Sequence, residues 1–223
     1  MYKFSKRIFD IASSSIACII LAPFLLPILI LLRLTSEGEV FYLQKRIGLN
    51  KRPFMVYKFA TMLKNSSKMT GGMITTQNDP RVTYMGGFLR KSKINELPQL
   101  INIIIGDMSV VGPRPVMKVS FEAYPEEVKE VIYNVKPGLT GIGSIIFRDE
   151  EELITDVKNN GGDLWEFYKG EIYPFKGQLE IWYQNNKSFF LDIQLIFLTA
   201  WVIIIPDSKL YEKWFKDLPK RSF

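Results

Sequence analysis

At 223 residues the chain is long enough for one compact domain plus a membrane anchor. It has no histidine, and its one cysteine, Cys18, lies inside an apolar run; a Ser-His-Asp triad, the usual zinc sites and a disulfide framework are all excluded. The net charge of +6 suits an anionic partner such as lipid headgroups, a nucleotide or nucleic acid, and the available chemistry is that of carboxylates, Lys, Arg, hydroxyls and a hard metal ion.

From Ile11 to Leu32 there are 22 residues without a formal charge. A straight helix of that length reaches roughly 33 Å, against about 30 Å of hydrocarbon core. Pro23 and Pro27 fall in its middle, and each removes one backbone hydrogen bond. Two geometries follow: a kinked spanning helix, or a re-entrant helix that bends near Ala22-Pro23 and returns to the side it entered from. Lys3, Lys6 and Arg7 precede the segment and Arg33 follows it, while seven Lys/Arg and no acid lie between Val40 and Asn78. Positive residues favour the cytoplasmic side, so charge on both flanks favours the re-entrant form. The run is long for a signal peptide, and no small-residue cleavage site follows it.

Val40–Leu43 and Met55–Phe59 read as short strands flanking the basic turn Arg46–Lys51. Residues 64–80 read as a polar loop containing Gly71, Gly72 and the turn signal Asn78-Asp79-Pro80. Ile94–Ile105 reads as a helix, apolar at 94, 97, 100, 101 and 104, with Glu96 and Pro98 in its first turn and Asn95 as a favoured N-cap. A Gly106-Asp107 turn then leads into Gly112-Pro113-Arg114-Pro115. Each proline fixes its own φ and restricts its predecessor, so Arg114 is pre-oriented for bidentate contact with a phosphate or carboxylate. The plainer reading is a surface turn with a solvated arginine.

A helix starts near Pro125. Lys136–Gly141 reads as a loop leading to Arg148 and four consecutive acids, Asp149 to Glu152; helical stretches follow to about residue 186, interrupted at Pro174. Phe189–Ile205 would extend about 25 Å, marginal for spanning. It reads as a helix in the interface or docked on the anchor, with a buried core helix as the alternative. The tail residues Trp214, Phe215, Lys216 and Lys220 suit a headgroup boundary.

Several blocks follow one another along the chain: Lys6-Arg7-Ile8-Phe9-Asp10, Gln44-Lys45-Arg46-Ile47-Gly48, Tyr57-Lys58-Phe59, Asn78-Asp79-Pro80-Arg81, Glu96-Leu97-Pro98-Gln99-Leu100, Gly106-Asp107-Met108-Ser109, Gly112-Pro113-Arg114-Pro115 and Pro137-Gly138-Leu139-Thr140-Gly141. Together, from about residue 5 to 200, they resemble the bacterial sugar transferase family, the small monotopic phosphoglycosyl transferases that start membrane glycan assembly. The resemblance implies an α+β, mostly helical fold. Residues 1–35 form a re-entrant membrane helix bent at Pro23. Residues 36–205 form a cytosolic and interfacial domain with a small β-hairpin and interfacial amphipathic helices, and 206–223 form a basic tail. The implied reaction moves a phospho-sugar from a nucleotide-diphosphate sugar, usually a UDP-sugar, to polyprenyl phosphate, releasing UMP and needing Mg²⁺. Its place is the cytoplasmic face of the bacterial inner membrane, in polysaccharide or lipopolysaccharide assembly, with the phospholipid bilayer and downstream glycosyltransferases as partners.

The chain departs from that family at named positions. The family has Asp-Glu where this chain has Asn95-Glu96, and the Asp is the nucleophile that takes up the phospho-sugar. Glu96 carries over as the Mg²⁺ ligand, and Asn95 marks the position of the nucleophile. Three readings of Asn95 stand: a replacement that traps a substrate complex, a non-catalytic relative that binds nucleotide sugar or lipid phosphate, or a variant chemistry. In the last, lipid phosphate attacks directly or a neighbouring carboxylate is supplied. Arg148 aligns with a family arginine expected to contact phosphate, and Asp149 or Glu150 beside it could approach the metal-phosphate site, although a solvated acidic loop is the preferred reading. Lys58, Arg81, Arg114 and Arg148 are the implied phosphate-binding cations. Ala22 replaces the usual Ser before Pro23, and Ala60 replaces a usual basic residue. Aromatic interleaving of the basic stretch 45–68 is sparse, which disfavours nucleic acid.

Overall fold

The computed structural model describes residues 2–35, 37–66, 69, 75 and 79–223. Within the polar loop expected over 64–80, Lys68, Gly71, Gly72 and Asn78 lie outside the described residues. Helix α1 (Tyr2–Thr35) has 34 residues and contains both Pro23 and Pro27. The helix is not broken at Ala22-Pro23, because a proline removes one hydrogen bond while its fixed φ remains helical.

One face of α1 is docked along its whole length. Arg7 donates to Ile103 O (2.6 Å) and Ile104 O (2.8 Å), satisfying carbonyls in the last turn of α3 (Gln99–Ile105). The buried Asp10 carboxylate accepts from Ser109 Oγ (3.0 Å) and Val110 N (2.9 Å). Lys6 (2.6 Å) and Tyr2 (2.9 Å) donate to the buried Asp192, whose other oxygen accepts from Tyr183 (2.7 Å). Further along, Ala17, Cys18 and Leu21 pack on Val56, Leu100, Ile103 and Met108, and Leu25, Ile28, Leu29 and Leu32 pack around Phe59 and Leu89.

The opposite face of α1 is bare. Phe4, Ile16, Ile19, Ile20, Phe24, Leu26, Ile30 and Leu34 are all mostly exposed, reaching 76% at Leu34. Helix α10 (Phe189–Ile204), capped by Ser188, buries Leu191, Leu195, Leu198 and Val202 against the domain and leaves Phe190, Ile203 and Ile204 outside. It is therefore docked by one stripe and is neither a core helix nor a free one. A soluble monomer rarely exposes an apolar surface of this extent.

Strands β1 (Phe41–Ile47) and β2 (Pro53–Phe59) form an antiparallel hairpin in register from Phe41↔Phe59 to Ile47↔Pro53. Arg46 and Ile47 thus belong to a strand rather than to the expected turn, which narrows to Gly48–Arg52. There Asn50 and Lys51 take positive φ values of 55° and 61°. Strand alternation puts Phe54, Val56 and Lys58 on one face, and Phe54 and Val56 pack on α1 and α3. The fully buried Asn102 of α3 completes the free edge of β2, donating from Nδ2 to Met55 O (2.7 Å) and accepting from Tyr57 N at Oδ1 (3.0 Å). A helix side chain here takes the place of a neighbouring strand.

The helix expected over Ile94–Ile105 starts differently. Ile94–Glu96 is a single 3₁₀ turn, with Leu97 N bonded to Ile94 O (3.0 Å), and α3 begins at Gln99. Pro98 has no N–H to offer the Ile94 carbonyl, so the tighter bond takes its place. Next, β3 (Ser109–Val111) pairs in parallel with β4 (Gly138–Thr140). Their glycines meet backbone to backbone: a Cβ on Gly138 would lie 2.1 Å from Gly112 N, and one on Gly141 2.4 Å from Gly112 O. Between these strands run α4 (Lys118–Glu122) and α5 (Glu126–Val131), the latter behind Pro125.

Helices α6 (Ile142–Ile146), α7 (Glu150–Asn159) and α8 (Leu164–Phe167) lead through one wide π-type turn (Tyr168–Ile172) into α9 (Tyr173–Asn186). The irregularity falls before Pro174 rather than at it, because Pro174 sits in the first turn of α9, where its missing N–H costs little. Short α11 (Leu210–Trp214) follows α10, and residues 206–223 fold back onto the domain. Phe215 and Leu218 are buried in the largest core with Leu179, Trp182, Leu195 and Leu198.

Two tests follow. Gly138→Ala should lower stability by about 1–3 kcal/mol through backbone overpacking, whereas Gly87→Ala in α2 (Tyr84–Lys91), where an added Cβ meets nothing, should raise it by about 0.5–1 kcal/mol; thermal unfolding in detergent reads both. Glu180 on α9 is buried, and burial pushes its carboxyl up to about 8 against the pull of Lys176. Its neutral form therefore stabilises the fold fully below pH 4.5, and that contribution is lost as pH rises through 8. Glu180→Gln should match wild type in melting temperature near pH 4.5 and exceed it at pH 8 and above.

Candidate functional site

The 3₁₀ turn before α3, the end of β2 and the loop after β3 converge on Glu96. Arg114 grips its carboxylate with both guanidinium arms, Nη2 to Oε1 at 2.5 Å and Nη1 to Oε2 at 3.2 Å. Lys58 Nζ lies 3.8 Å from Oε1. Burial works to raise the Glu96 carboxyl, but Arg114, Lys58 and Lys93 outweigh it and hold the group well below the usual carboxylate range. Burial pulls Lys58 down to about 7, with Glu96 opposing and Arg114, Arg46 and Arg90 assisting. Arg46 is lowered to about 10 by burial and by Arg114, while it donates to Gln44 Oε1 (2.7 Å) and Pro115 O (3.3 Å). The Glu96 carboxylate therefore acts on four cations, Arg46, Lys58, Lys93 and Arg114, with Arg90 close behind Lys58 and Lys93.

The backbone holds this crowd in place. Tyr133 donates to Arg114 O (2.9 Å) and accepts from Val116 N (3.1 Å), and Gly138 N donates to Pro113 O (2.8 Å), so the Gly112–Pro115 loop is braced from three sides. Lys93 takes a left-handed conformation, φ 59°, immediately before the Ile94–Glu96 turn. For a residue with a Cβ this costs roughly 1–2 kcal/mol, a strain of the kind concentrated at functional sites. Sequence reading missed Arg90 and Lys93, since a lysine or arginine on a short helix end carries no local signal. It placed Arg46 in a motif but gave it no role.

Asn95 does not cap a helix, as α3 begins beyond Pro98. Its side chain is 8% exposed, and Oδ1 has no hydrogen-bond partner. The other candidates separate. Arg81 is buried and turned onto Asp79, with Nη2 2.6 Å and Nε 2.9 Å from its oxygens. Arg148 is half-buried without a hydrogen-bond or ion-pair partner among the described residues. Asp149 pairs with Arg221 (2.9 and 2.5 Å), which holds its carboxyl down. Glu150 accepts from Tyr168 (2.8 Å) and Lys176 (2.7 Å), and its charge reaches Arg114. Of the two acids weighed from the sequence, only Glu150 is felt at the cation ring.

Magnesium takes oxygen ligands and usually binds through one or two carboxylates together with substrate phosphates. Among the described residues no group of three His, Cys, Asp or Glu could hold an ion alone. Glu96 offers a carboxylate and Asn95 Oδ1 an unpartnered neutral oxygen one residue away. That donor set fits an ion that arrives with a diphosphate. Positioned Arg and Lys around a half-buried carboxylate are suited to several phosphate charges at once.

A family model for bacterial sugar transferase matches residues 1–206. The exopolysaccharide production protein ExoY of Rhizobium meliloti (strain 1021) is 35% identical over 210 residues, covering 87% of this chain and 83% of that protein. The UDP-N-acetylgalactosamine-undecaprenyl-phosphate N-acetylgalactosaminephosphotransferase of Aeromonas hydrophila is 32% identical over 209 residues, covering 92% of this chain and 44% of that enzyme. The UDP-glucose:undecaprenyl-phosphate glucose-1-phosphate transferase of Klebsiella pneumoniae is 34% identical over 200 residues, covering 87% of this chain and 39% of that enzyme. The chain thus spans less than half the length of these two larger relatives and most of the first. With its cation-ringed glutamate, its long apolar helix and a match reaching from residue 1 to 206, the chain belongs to the bacterial sugar transferase family.

Proposed function

We propose that the protein transfers a phospho-sugar from a UDP-sugar to polyprenyl phosphate, giving polyprenyl-diphosphate-sugar and UMP, at the cytoplasmic face of a bacterial inner membrane. The observation that carries this reading is the two-armed Arg114 and the nearby Lys58 on Glu96, with Arg46 and Lys93 acting on the same carboxylate, on a domain whose α1 and α10 present bare apolar faces. Two relatives carry names that specify undecaprenyl phosphate as acceptor. Both ends of α1 dock on the same domain, Lys6 and Arg7 at one end and Leu32 at the other. That supports a helix that enters one leaflet as a wedge rather than one that carries its far end across.

Within this reading Arg114, Lys58 and Arg46 bind the diphosphate and hold its sugar-bearing phosphorus still. Glu96 and Asn95 Oδ1 would hold Mg²⁺, which supplies charge neutralisation to the phosphate oxygens. The neutral carboxamide of Asn95 is a far poorer nucleophile toward phosphorus than a carboxylate, and Glu96 serves in this reading as the ion's ligand. The transfer is therefore a single displacement. An oxygen of the lipid phosphate forms a bond to the sugar-bearing phosphorus as the bond from that phosphorus to the bridging oxygen breaks. UMP departs with the bridging oxygen, and no proton need move.

Protein in nanodiscs with a UDP-sugar panel, polyprenyl phosphate and Mg²⁺ should release UMP. Labelled UMP should not exchange into the UDP-sugar without lipid, and Asn95→Asp should gain that exchange. Exchange by the wild type would overturn single displacement; UDP-sugar binding with no UMP release would make the chain a silent glycan-assembly partner. Glu96→Gln should reduce turnover by about 10²-fold or more, the scale seen when a charge-stabilising group is removed from a transition state.

A further inference from the structure

We propose that the ring of Tyr42 is the platform on which the base of the nucleotide donor stacks, beside the cations that take its phosphates. The inference rests on the donor reading above. In the hairpin Tyr42 stands directly across from Lys58, with Gln44 across from Val56 and Arg46 across from Phe54. Directly opposed residues share one face of a sheet, with Cβ atoms about 4.5–5.5 Å apart. Tyr42 therefore flanks the lysine whose Nζ lies 3.8 Å from Glu96. It also shares its strip with Arg46, which donates to Pro115 O (3.3 Å), next to Arg114. Strand pairing and these two contacts place the ring at the edge of the site.

The strand is fixed while the ring is left open. Phe41 turns to the other face and stacks on Phe59, with centroids 5.7 Å apart, and Ala60 N donates to Val40 O (2.9 Å), so the start of β1 is held. Tyr42 is 52% exposed, and among the described residues its ring meets no other ring and its hydroxyl makes no hydrogen bond. A tyrosine on a fixed backbone offers a large contact area at low entropic cost. The polar group beside it is already spent: Gln44 Oε1 accepts from Arg46 Nε (3.1 Å) and Nη2 (2.7 Å), and its Nε2 faces Met117 Sδ (3.5 Å). A hexose brings hydroxyls that need partners, and an unpaired one is costly. A planar base presents a face that needs none, and its stacking on an aromatic side chain is favourable for any base.

Calorimetry with three soluble probes in the presence of Mg²⁺ tests the assignment: UMP, UDP-glucose and pyrophosphate. Tyr42→Ala should weaken UMP and UDP-glucose by the same factor, roughly five- to thirtyfold, the lower part of the range for base stacking because the ring is half exposed. Pyrophosphate, which carries no base, should bind as to wild type. Tyr42→Phe should keep wild-type affinity for all three. Leu43→Ala, an exposed neighbour on the other face of the strand, should change nothing. A loss confined to UDP-glucose would mean that the ring meets the sugar, and would overturn the proposal. An equal loss for all three probes would mean a disturbed strand, and no loss for any would mean a ring that meets lipid or solvent; either result overturns it too. Wild type that binds UMP but releases none from UDP-glucose and polyprenyl phosphate would count against the transfer reaction alone.

Discussion

Like charges brought close repel, and the site gathers Arg46, Lys58, Lys93 and Arg114 about the Glu96 carboxylate. The two-armed Arg114–Glu96 pair offsets part of that repulsion, and the rest is borne by backbone that cannot relax. Gly112, Gly138 and Gly141 stack main chain on main chain with no room for a Cβ. Pro113 and Pro115 remove torsional freedom on either side of Arg114, and Tyr133 locks the carbonyl between them. Lys58 is lowered chiefly by burial, and its cationic neighbours add to that. An anionic ligand bound here would supply the counter-charge that the folded chain leaves out.

The second constraint is the two-sided α1. Its docked face mixes ion pairs near the N-terminus with apolar packing further on, while its outer face is almost wholly aliphatic and aromatic. Asp10 and Asp192 show how the charged end is tolerated: Asp192 accepts on both oxygens and Asp10 accepts two hydrogen bonds on Oδ1, which is how such a group is kept out of water. Through α3 the anchor and the site become one mechanical unit. Arg7 holds the end of α3, Asn102 sews its middle to β2, and β2 carries Lys58.

The legible parts of the sequence were those with a local physical signature. The uncharged run 11–32 and the alternation of β2 are visible without coordinates, as is the proline-flanked Arg114. The hairpin came out longer than its apolar core suggested, because pairing extends as far as the turn geometry at Asn50 and Lys51 permits. The start of α3 was misplaced because a missing N–H at Pro98 changes the bond pattern without ending the helical path. Arg90, Lys93 and the return of residues 206–223 were illegible, since each depends on contacts between segments far apart in the chain. Asn95 was readable as an anomaly, but only packing reveals that its amide oxygen has no partner and caps no helix.

Arg7 binds the carbonyl end of a helix only seven residues long, whose other end abuts the Glu96 turn. A helix that short is a stiff rod about 10 Å in length. A shift of α1 against the domain would therefore be passed to the Glu96 turn with little damping.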